Sequence, residues 1–213
     1  MENSGIVIKD FTKNYGQQAV IIIPDVLFKP GLYWIKGENG SGKSTLFRSL
    51  AGLLPFTGSI EFEDGVNLKD NPVEYRRRVN YSEAEPLYPG FLTAHDLFRF
   101  VGKAKGVDID KQDNLVNAFG MSNYFRSPCQ TFSSGMQKKL SLAMAFLGNP
   151  RLLILDEPLI TLDSKARVVL WQHVGEALAN HAIVLISSHQ LLEETEYALQ
   201  GTFIIQDRQL IPV

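Results

Sequence analysis

The apolar positions of the chain occur in short runs that are separated by glycine, proline and charged residues. Runs of this length, bounded by turn-forming residues, are typical of buried strands. Strands are therefore predicted over residues 5–9, 19–23, 32–36, 152–156 and 182–188. A further strand pair is predicted at residues 58–63 and 79–81, and a hairpin is predicted at residues 202–211.

Longer segments with apolar residues at helical spacing lie between these strands. Helices are predicted over residues 45–54, 93–105, 164–180 and 190–199. A capping box formed by Thr93 and Asp96 supports the second helix, and the pattern stays mostly helical to about residue 148. One face of the third helix is predicted to carry Val168, Trp171, Val174 and Leu178. Strands that alternate with helices predict an α/β fold around a parallel sheet, which the helical middle interrupts as a second lobe.

The stretch GENGSGKST has the spacing of a phosphate-binding loop, G-x-x-x-x-G-K-[ST]. A predicted strand precedes it and a predicted helix follows it, which is the context that this motif requires. Its glycines permit backbone angles that let successive N–H groups converge on phosphate oxygens. The residues predicted to bind a nucleoside triphosphate are Gly37, Glu38, Asn39, Gly40, Ser41, Gly42, Lys43, Ser44 and Thr45. Lys43 would contact the β- and γ-phosphates, and Ser44 would ligate Mg²⁺ through its hydroxyl.

Two acidic residues, Asp156 and Glu157, end the buried strand LLILD. Asp156 is predicted to hold Mg²⁺ through water, and Glu157 to orient and deprotonate the attacking water. The sequence says less about which nucleobase is bound. It contains no Asn-Lys-x-Asp stretch that would recognise guanine. Tyr15 could stack on adenine, although a tyrosine in a turn more often packs on the surface.

A second serine- and glycine-containing stretch, FSSGM at residues 132–136, precedes a predicted helix and is a further candidate for phosphate contact. With it, the whole chain resembles the ATP-binding cassette ATPases, the nucleotide-binding subunits of ABC transporters. GENGSGKST is similar to their Walker A motif, LLILDE to Walker B, and FSSGM to the signature Leu-Ser-Gly-Gly-Gln. TLD at residues 161–163 resembles the D-loop, His189 the switch histidine, and Tyr15 the adenine-stacking aromatic.

The resemblance implies a P-loop NTPase fold of the ABC ATPase type. In this fold a mixed sheet with an N-terminal antiparallel β portion carries an inserted helical lobe. It further implies one domain over residues 1–213, with a core lobe at about 1–87 and 146–213 and a helical lobe at about 88–145.

The resemblance also implies the partners and the mechanism. Two subunits, identical or paralogous, would pack head to tail, so that Ser133 and Gly135 of one contact the γ-phosphate on the Walker A motif of the other. Glu157, His189 and Lys43 would be the catalytic residues, with Ser44 and Asp156 as ligands of Mg²⁺. Hydrolysis of ATP would drive transport by a separate integral membrane permease. The transported substrate and the direction of transport stay open.

The chain departs from the family pattern at two motifs. In the signature, Phe132, Ser134 and Met136 replace leucine, glycine and glutamine, while the serine and second glycine are present. The family also has a glutamine in the loop before the helical lobe, and the corresponding position here is Ala84. We hypothesise that one of its neighbours, Glu83 or Glu85, supplies the missing oxygen.

The composition limits which kinds of partner the protein can bind and in which cellular compartment it works. The 45% apolar content is enough to bury a core. The formal net charge of −2 argues against a nucleic-acid binder, and the basic run at residues 76–78 is more typical of a solvated face. A single cysteine excludes an intramolecular disulfide and favours a reducing compartment. The apolar runs are shorter than a membrane span. We expect a cytoplasmic protein that is peripheral on the cytoplasmic face of the cell membrane.

Two alternatives to an active transport ATPase remain open from the sequence. One is a soluble ABC ATPase that acts outside transport, although such proteins usually carry two cassettes or long coiled coils. The other is a regulatory subunit that binds ATP but turns over slowly, which the altered signature and the absent glutamine would suit.

Overall fold

The computed structural model describes residues 5–108, 113–188 and 196–213, and its strands form one nine-stranded sheet. In chain order the strands are β1 (Ile6–Tyr15), β2 (Gln18–Phe28), β3 (Gly31–Lys36), β4 (Thr57–Phe62), β5 (Val79–Ser82), β6 (Leu152–Asp156), β7 (Ile183–Ser187), β8 (Leu199–Gln206) and β9 (Gln209–Pro212). The helices are α1 (Lys43–Leu50), α2 (Pro72–Arg78), α3 (Ala94–Lys105), α4 (Asp113–Ala118), α5 (Ser134–Ala145) and α6 (Ser164–Ala179). Across the sheet the strands lie in the order β4-β1-β2-β9-β8-β3-β7-β6-β5.

The predicted N-terminal antiparallel portion is confirmed, because β1 pairs antiparallel with both β2 and β4. β1 and β2 are longer than their apolar runs indicate, since polar residues continue the hydrogen-bonded ladder. Ile6 and Ile8 alternate along β1 and are fully buried. They belong to the same hydrophobic cluster as Leu46 and Phe47 of α1, so this portion packs beside the helix that follows the phosphate loop.

The centre of the sheet is parallel, with β3 beside β7, β7 beside β6, and β6 beside β5. All five residues of β6 and of β7 are buried, as expected for strands covered on both faces. Leu152 and Ile154 join the cluster that contains α1, whereas Leu153 and Leu155 join the cluster that contains residues of α5 and α6. The predicted α/β fold with a mixed sheet is therefore confirmed, and β3 and β6 end at the same edge.

Among the described residues, the middle of the chain contains the helices α3, α4 and α5, with a long connection between α4 and α5. The predicted capping box is confirmed: the Thr93 side chain accepts from the N–H of Asp96, and the Asp96 side chain accepts from the N–H of Thr93. Gly106 is the C-cap of α3, and its φ of 70° is in the left-handed region that favours glycine. The prediction of mostly helical structure to residue 148 is too broad. Between α4 and α5, a 3₁₀ turn at Cys129–Thr131 joins irregular loops.

Two expectations about packing are wrong. The segments predicted as a strand pair, residues 58–63 and 79–81, do form strands, but β4 and β5 lie at opposite edges of the sheet. β4 instead pairs with β1 and β5 with β6, partners that are distant in sequence. Local patterns identify a strand but do not identify its neighbour.

The predicted apolar face of α6 is also wrong in part. The buried residues are Ala166, Leu170 and Val174, whereas Val168 is 69% exposed. With 3.6 residues per turn, Val168 lies about 200° around the helix axis from Leu170, so the two cannot share one face. Trp171 is only partly buried at the side of this face.

The C-terminal hairpin is confirmed by the antiparallel pairing of β8 with β9. The helix predicted over residues 190–199 falls mostly outside the described residues, and β8 already begins at Leu199. In the described segments of the chain, every helix is too short or too polar to span a bilayer.

Candidate active site

The phosphate loop connects β3 directly to α1, as the motif predicts. Gly40 and Gly42 have φ angles of 78° and 108°, which residues with side chains rarely adopt. A β-carbon at Gly42 would also lie 2.9 Å from the Ile21 side chain, so this position excludes larger residues. Gly42 is the N-cap of α1, and no side chain caps the helix. The first turn of α1 thus has N–H groups suited to an anion.

Lys43 lies under this loop rather than in open solvent. Lys43 is 7% exposed, and its Nζ donates to the carbonyl oxygens of Gly37 and Glu38 at 2.7 and 3.0 Å. Burial lowers the pKa of Lys43, while the nearby carboxylates of Glu157 and Asp156 oppose that shift. Two of the three N–H donors of the Lys43 ammonium are therefore used to hold it against the loop, which fixes the position of the positive charge.

Asp156 is held by two neighbouring strands. Its Oδ1 accepts from the Ser187 hydroxyl at 2.6 Å, and its Oδ2 accepts from the Tyr81 hydroxyl at 3.3 Å. Burial, followed by the charge of Asp156, raises the pKa of Tyr81, so the phenol keeps its proton and donates. A buried carboxylate is thereby fixed at the end of β6.

Glu157 follows in a left-handed conformation, with φ of 45°. Its N–H donates to the Ser187 Oγ at 3.0 Å, so one hydroxyl holds both acidic residues in place. Sequence analysis missed Ser187 as a site residue. The available signal was its position at the end of a buried parallel strand, because such ends meet at one edge of the sheet.

A cavity of about 620 Å³ brings the two halves of the site together. The predicted site residues in its lining are Tyr15, Asn39, Gly40, Gly42, Lys43, Ser44, Thr45, Asp156 and Glu157. Gly37, Glu38 and Ser41 shape the loop without lining the cavity, and Ser133 and Gly135 do not line it either. His189 lies outside the described residues.

A family sequence profile described as ABC transporter matches residues 27–160, more than half of the chain. The chain belongs to the ABC transporter family. As an ABC ATPase it binds and hydrolyses ATP, and it is the ATP-driven subunit of a transporter.

Similar proteins cover nearly the whole chain. The lantibiotic transport ATP-binding protein SrtF of Streptococcus pyogenes is 31% identical over 206 residues, which are 96% of this chain and 88% of SrtF. The ABC-type transporter ATP-binding protein EcsA of Bacillus subtilis is 31% identical over 204 residues, covering 93% of this chain and 81% of EcsA. A solved structure of an ATP binding subunit of an ABC transporter superposes with a TM-score of 0.85, at 29% identity, over 97% of this chain and 88% of that one.

In this ABC ATPase the substituted signature keeps a regular helix start. Ser133 is the N-cap of α5, and its hydroxyl accepts from the N–H of Met136 at 3.3 Å. Phe132, which replaces leucine, is buried edge-to-face against Tyr124, with ring centroids 5.1 Å apart. The larger apolar residue is therefore accommodated by the core, and Ser133 stays exposed.

The start of α5 also lies close to residues 161–163, the segment that resembles the D-loop. A β-carbon at Gly135 would lie 3.1 Å from the carbonyl oxygen of Thr161, so a larger residue here would require a shift of a few tenths of an ångström. Thr161 itself has a φ of 64°. Asp163 then caps α6 by accepting from Ala166, and it forms an ion pair with Lys139 at 2.6 Å.

In the loop that lacks the family's glutamine, the two candidate acids, Glu83 and Glu85, have different surroundings. Ala84 and Glu85 line the cavity, whereas Glu83 forms an ion pair with Arg48 at 3.4 Å. Tyr15, at the end of β1, is exposed at the mouth of the cavity, with Lys13 Nζ 4.9 Å from its ring centroid.

Proposed function

We propose that this ABC ATPase hydrolyses ATP in sites shared between two subunits, and that the resulting motion drives a membrane permease. The observation that carries the proposal is the composition of the cavity. It contains the phosphate loop, Asp156 and Glu157, but Ser133 and Gly135 lie elsewhere, at the exposed start of α5. A second subunit, identical or paralogous, would bring its own Ser133 and Gly135 to this cavity.

Each phosphate-binding residue has a distinct task in this proposal. The loop of residues 37–42 and the first turn of α1 donate main-chain N–H groups to the β- and γ-phosphates. Lys43 supplies a fixed positive charge, and Thr45 adds a hydroxyl contact. Tyr15 stacks on the adenine ring, because its exposed ring stands at the mouth of the cavity.

Mg²⁺ suits the remaining donors. Ser44 presents a hydroxyl and Asp156 a buried carboxylate in the same cavity, and both are the hard oxygen ligands that this ion prefers. Within the described residues no group of three or more His, Cys, Asp or Glu could hold a metal, which agrees with an ion held partly by the nucleotide's phosphates. When bound, Mg²⁺ neutralises charge on the phosphate oxygens.

Glu157 acts as the general base. Its carboxylate lies in the cavity with Lys43, and the Ser187 hydroxyl fixes its backbone. Deprotonation of the attacking water by Glu157 would let the oxygen attack the γ-phosphorus while ADP leaves. His189 would contact the γ-phosphate and hold the same water.

Glu83 and Glu85 can be compared experimentally as the source of the oxygen that the missing glutamine would supply. We expect Glu85→Ala to raise the Mg²⁺ concentration needed for half-maximal ATP hydrolysis by about 10-fold, because Glu85 lines the cavity. Glu83→Ala is the matched control and should change it less than about 2-fold, since Glu83 pairs with Arg48. Steady-state hydrolysis titrated with Mg²⁺ measures both, and no shift in either variant would contradict this role.

Residues 88–145 form the helical lobe in this proposal, and the core lobe comprises residues 1–87 and 146–213. The permease would dock where the lobe begins, because Leu87 and Phe91 are 86% and 80% exposed there, next to the loop of Glu85. The subunit would therefore sit on the cytoplasmic face of the cell membrane, bound to another chain and not to nucleic acid.

Co-purification tests the permease. Tagged Glu157→Gln protein, held with ATP, should recover a multi-span membrane protein from gently solubilised membranes of its source cell. A Leu87→Glu, Phe91→Glu variant should lose that chain while still binding ATP, since neither residue lines the cavity. Recovery of only ribosomes, DNA or soluble protein, or recovery that the surface variant leaves unchanged, would contradict the docking proposal.

A further inference from the structure

A buried lysine outside the phosphate loop lies beneath the acidic end of the site. Lys138 is the fifth residue of α5 and is 1% exposed. Burying an ammonium group in a protein costs free energy unless its protons find strong acceptors. A lysine that serves only to solubilise a helix would be at the surface.

The acceptors of Lys138 come from two separate segments. Its Nζ donates to the main-chain oxygens of Glu83 at 2.6 Å, Ala84 at 3.1 Å and Asp156 at 2.9 Å. An ammonium has three donors, so this set satisfies all of them. One side chain therefore joins the start of the signature helix, the loop that lacks glutamine and the end of β6.

The same region is rich in negative charge. Burial lowers the pKa of Lys138 to about 8, even though the carboxylates of Asp156, Glu157, Glu83 and Glu85 favour its charged form. The positive charge thus lies among the acids that face Mg²⁺ and water in the proposed function. The hydrogen bonds of Lys138 are to main-chain oxygens and not to these carboxylates.

We propose that Lys138 is a positioning residue for hydrolysis, which fixes the loop of residues 83–85 and the Asp156–Glu157 segment at their working separation. The proposal rests on the roles proposed above for Asp156 and Glu157. In this role, Lys138 helps to hold the loop of residues 83–85 in place, which the absent glutamine would otherwise do. Because α5 begins at the signature, Lys138 also links the surface offered to a second subunit with the catalytic base.

Replacing Lys138 with methionine keeps the length of the side chain but removes its charge and its donors. We expect Lys138→Met to lower kcat by about 10- to 100-fold, the range found when residues that orient ligands are removed. The KM for ATP should change by less than about 3-fold, because the phosphate loop and Tyr15 are untouched. Lys138→Gln restores donors without charge, and it should recover part of kcat.

Stability and coupling separate positioning from a merely structural role. Ser141→Ala is the matched control, since it removes the 2.9 Å contact between the Ser82 and Ser141 hydroxyls, a nearby link between α5 and β5. It should leave kcat within about 2-fold of the parent. The melting temperature of each variant shows whether loss of kcat follows loss of folded protein.

A double-mutant cycle then asks whether Lys138 acts through Glu157. Single-turnover hydrolysis should fall with Lys138→Met in the parent, but change by less than about 3-fold in the Glu157→Gln background. Equal losses in both backgrounds, or losses that track the melting temperature and recur in Ser141→Ala, would overturn the positioning role. The proposed function is judged separately by Glu157→Gln alone, since unchanged turnover in that single variant would refute the role of the base and not the contacts of Lys138.

Discussion

Glu157→Gln is expected to lower steady-state ATP hydrolysis by about 100-fold or more while ATP binding is retained. Glutamine keeps the size of the side chain and a polar oxygen but cannot accept a proton from water. The backbone of residue 157 should keep its conformation, because its N–H is held by Ser187 at 3.0 Å. With hydrolysis blocked, ATP should stay between two subunits and hold them together.

The measurement combines phosphate release with size-exclusion chromatography at saturating ATP and Mg²⁺. The variant should elute as a dimer with ATP and as a monomer without it. Glu176→Gln is a suitable control, because Glu176 lies on α6 and pairs with His173, away from the cavity. A Glu157→Gln protein that stays monomeric at saturating ATP would exclude pairing with a second copy and leave a paralogous partner.

The same comparison tests how active the ABC subunit is. A regulatory subunit would hydrolyse ATP at a low rate that Glu157→Gln barely changes, whereas an active subunit would show a large difference. The packing of Phe132 against Tyr124 favours activity, because the altered signature does not disturb the start of α5. We therefore expect the large difference.

The parts of the site that the sequence predicted are those whose geometry is local. The phosphate loop is one continuous stretch between a strand and a helix, so its conformation can be predicted from its own glycines and Lys43. The capping box of α3 is local in the same sense, since Thr93 and Asp96 are one turn apart. Such features depend on few distant residues.

The parts that the sequence did not predict depend on strand order and on which helix face is buried. Ser187 is a site residue only because β7 lies beside β6, which places its hydroxyl 2.6 Å from Asp156. From the sequence alone, Lys138 is expected at the surface, as lysines usually are. Only the tertiary structure brings three carbonyl acceptors to its ammonium group. The mistaken pairing of β4 with β5 has the same cause, since an apolar run does not specify its partner.

Lys43→Ala is expected to weaken ATP binding by about 10- to 100-fold, the loss that corresponds to one hydrogen bond with a charged donor. Lys43 is 7% exposed and its ammonium is held by the carbonyls of Gly37 and Glu38, so it meets phosphate without further ordering. Removing the ammonium leaves those carbonyls without this donor. The γ-phosphate then lies near the carboxylates of Asp156 and Glu157 with no positive charge from the loop to offset their repulsion. Isothermal titration with ATP and Mg²⁺ measures the affinity.

Thermal unfolding gives an independent reading of the same loss. ATP at 100 times the dissociation constant of the parent should stabilise it by about 2.7 kcal/mol, and the Lys43→Ala protein by about 0.4 to 1.4 kcal/mol at the same concentration. Lys29→Ala is the control, because Lys29 pairs with Glu63 at 2.7 Å outside the cavity and should keep the full ATP effect. Affinity within about 3-fold of the parent in Lys43→Ala would place the binding energy in the main-chain N–H groups and not in the lysine. Lys43 would then matter only for the charge that develops as the γ-phosphate is transferred, and kcat alone should fall.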